Sequence, residues 1–225
     1  MKKISSEELK AFDKDIVAIL SSERLEGYGR DVGRHFDNLE LIKNSVKRIA
    51  ILEIYLRNKL DFCLNILEGR DWIKNARSLN IIKEKGGTSL DDLAPHQILS
   101  SLMLGELVKL IDEYKVKHYM FNLEGMDFRE YHWSNRNFFH INKKKNKFSN
   151  VEKVNIALNL IRTIRNRAFH WENLFKTRCF NGEIYPRITH KEKDTNIGIM
   201  PEKILLFLDD LLNSIQNDLI KTIEK

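Results

Sequence analysis

Residues 36–67 read FDNLELIKNSVKRIAILEIYLRNKLDFCLNIL and contain neither proline nor glycine. Apolar side chains recur along this stretch every three or four positions, as they do on one face of an α-helix: Leu39, Ile42, Val46, Ile49, Leu52, Leu56, Leu60, Cys63 and Leu67. Gly69 follows, and glycine is common just beyond a helix C-terminus. The pattern predicts one long helix that ends at Glu68-Gly69.

Other segments show the same periodicity. Ser5-Ser6-Glu7-Glu8 is a capping box and predicts a helix near 6–22. Further helices are predicted over 98–114 and from Ser149 or Asn150 through Ile164. A last helix is predicted over 201–223, with a buried face of Ile204, Leu205, Leu208, Leu211, Leu212, Ile215 and Leu219. The polar connection 83–92 contains Gly86-Gly87, and the mixed aromatic and polar region 115–150 is predicted to form short helices.

Three prolines and ten glycines in 225 residues favour long helices and few tight turns. Asn181-Gly182, between short runs that contain apolar residues, indicates a small hairpin or turn. Neither an internal repeat nor a flexible linker is visible. The sequence therefore predicts an all-α protein: a single helical-bundle domain over 1–225, with the helix 6–22 as an appendage and a small hairpin or turn insertion.

Composition argues against several classes of protein. A 42% hydrophobic chain of this length can build its own core. The N-terminus turns polar at once, and no window approaches about 18 uncharged apolar residues, so neither secretion nor membrane insertion is expected. Cys63 and Cys179 show no disulfide or zinc spacing. We expect a cytoplasmic protein without a metal or cofactor.

Positive charge is concentrated in residues 131–171. This window holds nine Lys and Arg residues against one acidic residue, a balance of +8, whereas the whole chain carries +6. A concentrated positive field favours a polyanionic partner such as a nucleic acid. The basic residues predicted to bind RNA are Arg162, Arg167, Lys143, Lys144, Lys145 and Lys147.

The same window contains the run Arg165-Asn166-Arg167-Ala168-Phe169-His170 at the end of a predicted helix. On an ideal helix Asn166 and His170 share nearly one face, whereas Arg165 and His170 are about 140° apart. The two side chains can border one pocket if the helix loosens there. Histidine can then move protons, and arginine can stabilise a pentavalent phosphorane, as RNA cleavage without a metal requires.

Residues 160–175, which read LIRTIRNRAFHWENLF, resemble the RN…AHH…LFN signature of Abi-like abortive-infection proteins of the AbiD/AbiF type. Residues 104–110 (LGELVKL) are similar to the FGTLSKLY segment of that family, and residues 53–57 (EIYLR) to its E..LR helix. These proteins belong to the HEPN superfamily of helical domains, whose active members carry Arg-x4–6-His and act as metal-independent ribonucleases, commonly as dimers. The resemblance covers roughly residues 30–215.

The resemblance implies that Arg165 and His170 are the catalytic pair and that Asn166 orients the histidine or the phosphate. Glu53 and Arg57 would support them near the cleft. Trp171 stands where the family often has a second histidine, so proton transfer would rest on His170 alone in each protomer, and Arg167 replaces a small residue or cysteine. Where one branch carries a tyrosine that is AMPylated, this chain has Glu172, which argues against that control.

The implied partners are RNA, a second copy of the chain that completes a shared active site, and an antitoxin or regulatory protein; no membrane is implied. The expected function is an endoribonuclease of a phage-defence or toxin-type system. The same residues also fit a non-catalytic helical module that binds RNA or a protein partner. For Glu53 and Arg57, four residues apart, the simpler interpretation is a surface salt bridge of about 0.3–0.5 kcal/mol.

Overall fold

The structure, a computed structural model, describes residues 3–82 and 89–218. Its helices are α1 (Ser6–Lys14), α2 (Ile16–Leu20), α3 (Ser22–Glu26), α4 (Val32–Leu67), α5 (Ala76–Leu79), α6 (Pro95–Ser101), α7 (Leu104–Glu113), α8 (Lys117–Met120), α9 (Asn150–Phe169) and α10 (Ile204–Asn213). Its strands are β1 (Phe138–Ile141), β2 (Lys144–Lys147), β3 (Thr177–Phe180), β4 (Glu183–Pro186), β5 (Ile188–Glu192) and β6 (Thr195–Ile199). Consecutive strands pair into three antiparallel hairpins.

The predicted all-α helical bundle is wrong, because the protein is 58% helix and 12% strand and so mixes α and β structure. One hairpin, β3–β4, turns at Asn181-Gly182, whose φ angles of 50° and 79° suit the tight turn that Asn-Gly favours. The β1–β2 hairpin escaped prediction because all of Lys144–Lys147 is exposed, which leaves no apolar alternation to detect. In β5–β6 only Ile188, Ile197 and Ile199 form the buried apolar set.

The predicted long helix is confirmed as α4, which begins at Val32 rather than at Phe36 and is about 54 Å long. The Asp31 carboxylate caps it by accepting the Arg34 amide N–H at 3.1 Å. Gly69, with a φ of 89°, follows its C-terminal cap. Its charged residues lie outside the buried face, which is formed mainly by Ile42, Ile49, Leu52, Leu56 and Leu60. Among residues 3–82 and 89–218, no helix is long and apolar enough to cross a bilayer.

Helices α9 and α10 pack against α4 and enclose the centre of the core. Fully buried side chains line all three: Ile49, Leu52 and Leu56 from α4, Ile161 and Ile164 from α9, and Phe207 and Leu211 from α10. At the edge of this layer, Arg48 Nη2 donates to Asp209 Oδ2 at 3.1 Å. The buried Tyr131 hydroxyl donates to Asp210 Oδ2 at 2.6 Å, so α10 is fixed from two sides.

The three hairpins follow the length of α9. Strand β5 packs along the helix, with Glu192 hydrogen-bonded to Asn155 near its start. The β1–β2 hairpin lies at the N-terminal end of α9, and β3–β4 at the other end. Where β4 meets β6, a side chain at Gly198 would place its Cβ 2.2 Å from Pro186 Cγ, so this close approach requires glycine.

Three predicted helices have different bounds. The helix predicted over 6–22 is divided into α1, α2 and α3, because Asp15 and Ser21 each cap a new helix, and neither α1 nor α2 contains a buried residue. The helix predicted over 98–114 is broken at Leu102-Met103 into α6 and α7. The last one is a 3₁₀ turn (Pro201–Lys203) followed by α10, which ends at Asn213. Leu219 and the rest of 219–223 lie outside the described residues, as do 83–88.

His35 is buried at the start of α4, edge-on to Tyr28 with ring centroids 5.1 Å apart. Neither ring nitrogen finds a hydrogen-bond partner among the described residues. Burial lowers the pKa of His35, and the nearby charge of Arg24 lowers it further. The folded protein therefore holds this imidazole neutral at a pH at which the unfolded chain protonates it.

Because the folded-state pKa is the lower one, His35 stabilises the fold above its ordinary pKa of about 6.5, and this contribution is lost as pH falls. We expect the free energy of unfolding in urea to drop between pH 7.5 and pH 5.5, and His35→Phe to reduce that drop. The control is His96→Phe, at an exposed histidine. An unchanged pH dependence in His35→Phe would contradict this assignment.

Candidate active site at the end of helix α9

The Arg165 to His170 run forms the last turn of α9 and its cap. The Trp171 N–H donates to Ala168 O at 3.1 Å and the Glu172 N–H to Arg167 O at 2.9 Å, the pair of bonds that defines a Schellman motif. His170 is the C-cap, with φ −94° and ψ 8°, and is exposed. The backbone is thus helical up to His170, whose N–H donates to Asn166 O at 3.1 Å, and the helix does not loosen between Arg165 and His170.

Trp171 occupies the position of this motif that usually belongs to glycine. Its φ is 55°, in the left-handed region, and its side chain is 55% exposed. A residue with a Cβ pays roughly 1–2 kcal/mol for this conformation. The surrounding contacts therefore have to hold the turn in place.

The start of the chain supplies those contacts. Buried Asn38 of α4 donates to Glu172 O at 3.2 Å and accepts the Leu174 N–H at 2.8 Å. Arg24 donates to Trp171 O at 3.0 Å, and Asn173 donates to Gly27 O at 2.7 Å. The segment after the motif is thereby fixed to α3 and α4, which fixes where His170 leaves the helix.

Arg165 points towards α4, where it meets the two predicted supporting residues. Its Nε lies 3.8 Å from Glu53 Oε2, and Arg57 Nη2 donates to Glu53 Oε1 at 3.2 Å and to Leu102 O at 3.0 Å. All three side chains are only 16–22% exposed. The Arg165 guanidinium also lies 4.5 Å from the Phe169 ring centroid. One carboxylate therefore faces two arginines, and the group keeps a net positive charge.

Arg162, Asn166 and His170 follow one another at intervals of four and share one face of α9. Asn166 and His170 are exposed, and Arg162 is partly exposed. Asn166 accepts the His170 backbone N–H at 3.1 Å, and within the described chain no side-chain hydrogen bond joins the two residues. The face thus presents amide and imidazole groups to solvent beside Arg165.

Arg167 lies on the other side of the helix end. Its Nη1 is 3.1 Å from Glu172 Oε2. Burial lowers the pKa of Arg167, as do the positive charges of Arg187 and Arg178, while Glu172 opposes them. Arg178 and Arg187 belong to the β3–β4 hairpin and its exit, so the charges of two hairpin arginines act on Arg167, while Glu172 pairs with it. This part of the predicted RNA surface lies beside the motif.

The predicted lysine group is elsewhere. Lys143, Lys144, Lys145 and Lys147 lie on the β1–β2 hairpin, which leads within a few residues into the N-terminus of α9. The 20 residues of α9 span about 30 Å, so these lysines lie at the opposite end of the helix from His170. They do not border the candidate active site of the same chain.

Residues 3–82 and 89–218 contain no group of three or more His, Cys, Asp or Glu side chains placed to hold a metal ion. Comparisons with protein-family models, with curated proteins and with solved structures found no match to this chain. The functional assignment therefore rests on the residues and their geometry.

Sequence reasoning missed Asn38, Arg24, Arg178 and Arg187. Asn38 and Arg24 contact backbone groups 134 to 147 residues away along the chain, and no local pattern marks such contacts. Arg178 and Arg187 lie just outside the 131–171 window. Their closeness in sequence to the motif was the signal that could have placed them in the predicted RNA-binding surface.

We expect Trp171→Gly to be more stable than Trp171→Ala by about 1 kcal/mol, because both variants remove the indole but only glycine relieves the left-handed backbone. Urea unfolding monitored by circular dichroism measures the difference. Equal stability of the two variants would show that the turn is not strained.

Proposed function

We propose that this protein is a metal-independent endoribonuclease, acting in the cytoplasm as part of a phage-defence or toxin-type system. The observation that carries the proposal is the exposed His170 at the C-terminal cap of α9, five residues after an Arg165 that Glu53 and Phe169 hold in place. The resemblance of residues 160–175 to Abi-like proteins of the HEPN superfamily supports the same chemistry.

In the proposed reaction the neutral His170 imidazole removes the proton of a ribose 2′-OH. The 2′-oxygen attacks the adjacent phosphorus, and the P–O5′ bond breaks. The products are a 2′,3′-cyclic phosphate and a 5′-OH, and the leaving 5′-oxygen receives a proton. Arg165 stabilises the negative charge of the phosphorane, and Glu53 with Arg57 keeps its guanidinium in position. Asn166 binds a phosphate oxygen or orients the imidazole.

Two proton transfers are needed, and each chain offers one histidine in this motif. A homodimer with two motifs at one cleft supplies both, one His170 as the base and the second copy's His170 as the acid. An exposed apolar row on α4 supports a second copy: Ile54, Phe62 and Ile66 are 55%, 62% and 69% exposed and lie at multiples of four on one face. Ile54 adjoins Glu53, so this row begins at the candidate site.

We expect wild type to cleave RNA in EDTA, and His170→Ala and Arg165→Ala each to lower the rate at least about a hundredfold. Arg165→Lys keeps a positive charge beside Glu53 but lacks the guanidinium. It therefore tests whether an intact fold with a charge at this position is enough for RNA cleavage. Lys10→Ala and Lys14→Ala, at exposed residues of α1, should retain full activity. Equal activity in wild type and all variants would remove the mechanism.

We expect Phe62→Lys to convert a dimer to a monomer and to lower cleavage per chain, because it places a charge in the apolar row. Sedimentation velocity measures the oligomeric state, and the RNA assay measures cleavage. The matched control is Ile141→Lys, since Ile141 is also an exposed apolar residue, 51% exposed, but on β1 at the far end of α9. A monomeric, active wild type would exclude the shared site.

The alternative is a non-catalytic module that binds RNA or a protein partner through the same face. The engagement of Arg165 with Glu53 and Phe169 favours it, since such contacts also suit a purely structural arginine. Expression in bacteria separates the two: growth arrest that His170→Ala abolishes supports the enzyme, and relief of the arrest by a co-expressed protein would identify a neutralising partner.

A further inference from the structure

The β3–β4 hairpin carries aromatic and charged side chains on one face, including Glu183, whose carboxylate accepts the Tyr185 hydroxyl at 2.7 Å. Arg178 and Tyr185 are direct cross-strand partners, so they share a face, and Phe180 lies two residues further along on the same side. Trp133 lies against Tyr185 with ring centroids 5.8 Å apart. Trp133 and Phe180 are 63% and 67% exposed, so these rings are not serving the core.

A cavity of about 390 Å³ opens beside this face, and Arg178, Phe180, Tyr185 and Asn196 contribute to its walls. Within the described residues the exposed Asn196 side chain makes no hydrogen bond, so its amide is available to the edge of a bound base. The walls thus combine two aromatic rings, a guanidinium and an amide. This combination suits a nucleobase stacked on a ring with its phosphate on the arginine.

The electrostatic field of one cavity residue also reaches the motif. Arg178 lines the cavity, and its charge, with that of Arg187, also acts on Arg167 at the end of α9. Glu172 is the carboxylate that pairs with Arg167. A polyanion extended along this side would lower the mutual repulsion of the three arginines. Its course would run from the end of α9 onto the hairpin.

The hairpin is held in a defined place. His132 Nε2 lies 3.2 Å from Ile184 O, and Pro186 packs against the bare Gly198. These two contacts therefore fix the position of the hairpin and its aromatic side chains relative to β6. A preformed platform of this kind loses little ordering entropy when it binds a flexible strand.

We propose that the Trp133, Phe180, Tyr185 and Arg178 surface, called here the hairpin face, binds unpaired nucleotides of RNA adjacent to the phosphate presented to His170. The proposal rests on the ribonuclease function and assigns that enzyme a single-stranded substrate. Stacking needs a free base face, which a duplex does not offer, so the hairpin face selects unpaired RNA.

Binding is tested with the full chain carrying His170→Ala, so that a probe survives. The probes are a fluorescein-labelled 12-nucleotide RNA of mixed sequence, the same RNA annealed to its complement, and heparin as a polyanion without bases. We expect the single strand to bind at least about fivefold more tightly than the duplex, since one stacked base contributes about that much. Trp133→Ala should weaken single-strand binding by about fivefold or more, whereas Trp133→Phe, which keeps a ring, should change it little.

Phe12→Ala, at an exposed aromatic residue on α1, is the matched control and should bind as the parent does. Quenching of tryptophan fluorescence by RNA, present in the parent and reduced in Trp133→Phe, gives a readout that does not depend on a disruptive variant. Equal affinity for single strand and duplex, or equal binding by Trp133→Ala and Trp133→Phe, would overturn the proposal. A surface made for a protein partner would give that result.

An RNA cleavage assay distinguishes failure of the hairpin-face proposal from failure of the ribonuclease function on which it rests. If wild type cleaves RNA and Trp133→Ala cleaves it with an unchanged KM, the RNA-binding role of the hairpin face is wrong, and the proposed ribonuclease function is retained. If wild type does not cleave, yet single-strand binding depends on the ring at position 133, the ribonuclease is wrong and the binding surface stands.

Discussion

The packing of α9 against α4 is the interaction on which the rest of the structure depends. Ile161 and Ile164 are buried towards α4 on the same turns of α9 that carry Arg162 and Arg165. The apolar contact therefore sets how far Arg165 can reach and brings it to Glu53. Because Arg57 of α4 also donates to the carbonyl of Leu102, the break between α6 and α7 is tied to the same group.

Three parts of the chain that are distant in sequence meet at the end of α9. The start of α4 holds the exit segment through Asn38, the middle of α4 holds Arg165 through Glu53, and the β3–β4 hairpin adds Arg178. Positive charge is only partly neutralised there, since Glu53 and Glu172 are the carboxylates that face these arginines. The remaining excess of positive charge suits a site that binds phosphate.

The sequence predicted those features that repeat along the chain or depend on a few neighbouring residues. The period of three and four located α4, and Ser149 or Asn150 as a candidate N-cap located the start of α9, where the structure shows a capping box of Ser149 with Glu152. It could not predict the break at Leu102, because the apolar pattern continues across it and a long-range bond from Arg57 accompanies it. The Lys143 to Lys147 group was predicted near the motif because charge was counted along the chain, whereas α9 separates the two by its length. Glu53, Arg57 and Arg165 contact one another, and the roles that the resemblance implies for them stay predictions.

The contact between Pro186 and Gly198 has a consequence for variation in sequence. Because no space is left for a Cβ at position 198, a larger residue there is compatible with the present geometry only if position 186 becomes smaller or the hairpin moves outward. The two positions are therefore constrained as a pair, although 12 residues separate them. An outward shift would also move Arg178, so variation at this pair would change the positive charge that acts on Arg167 at the end of α9.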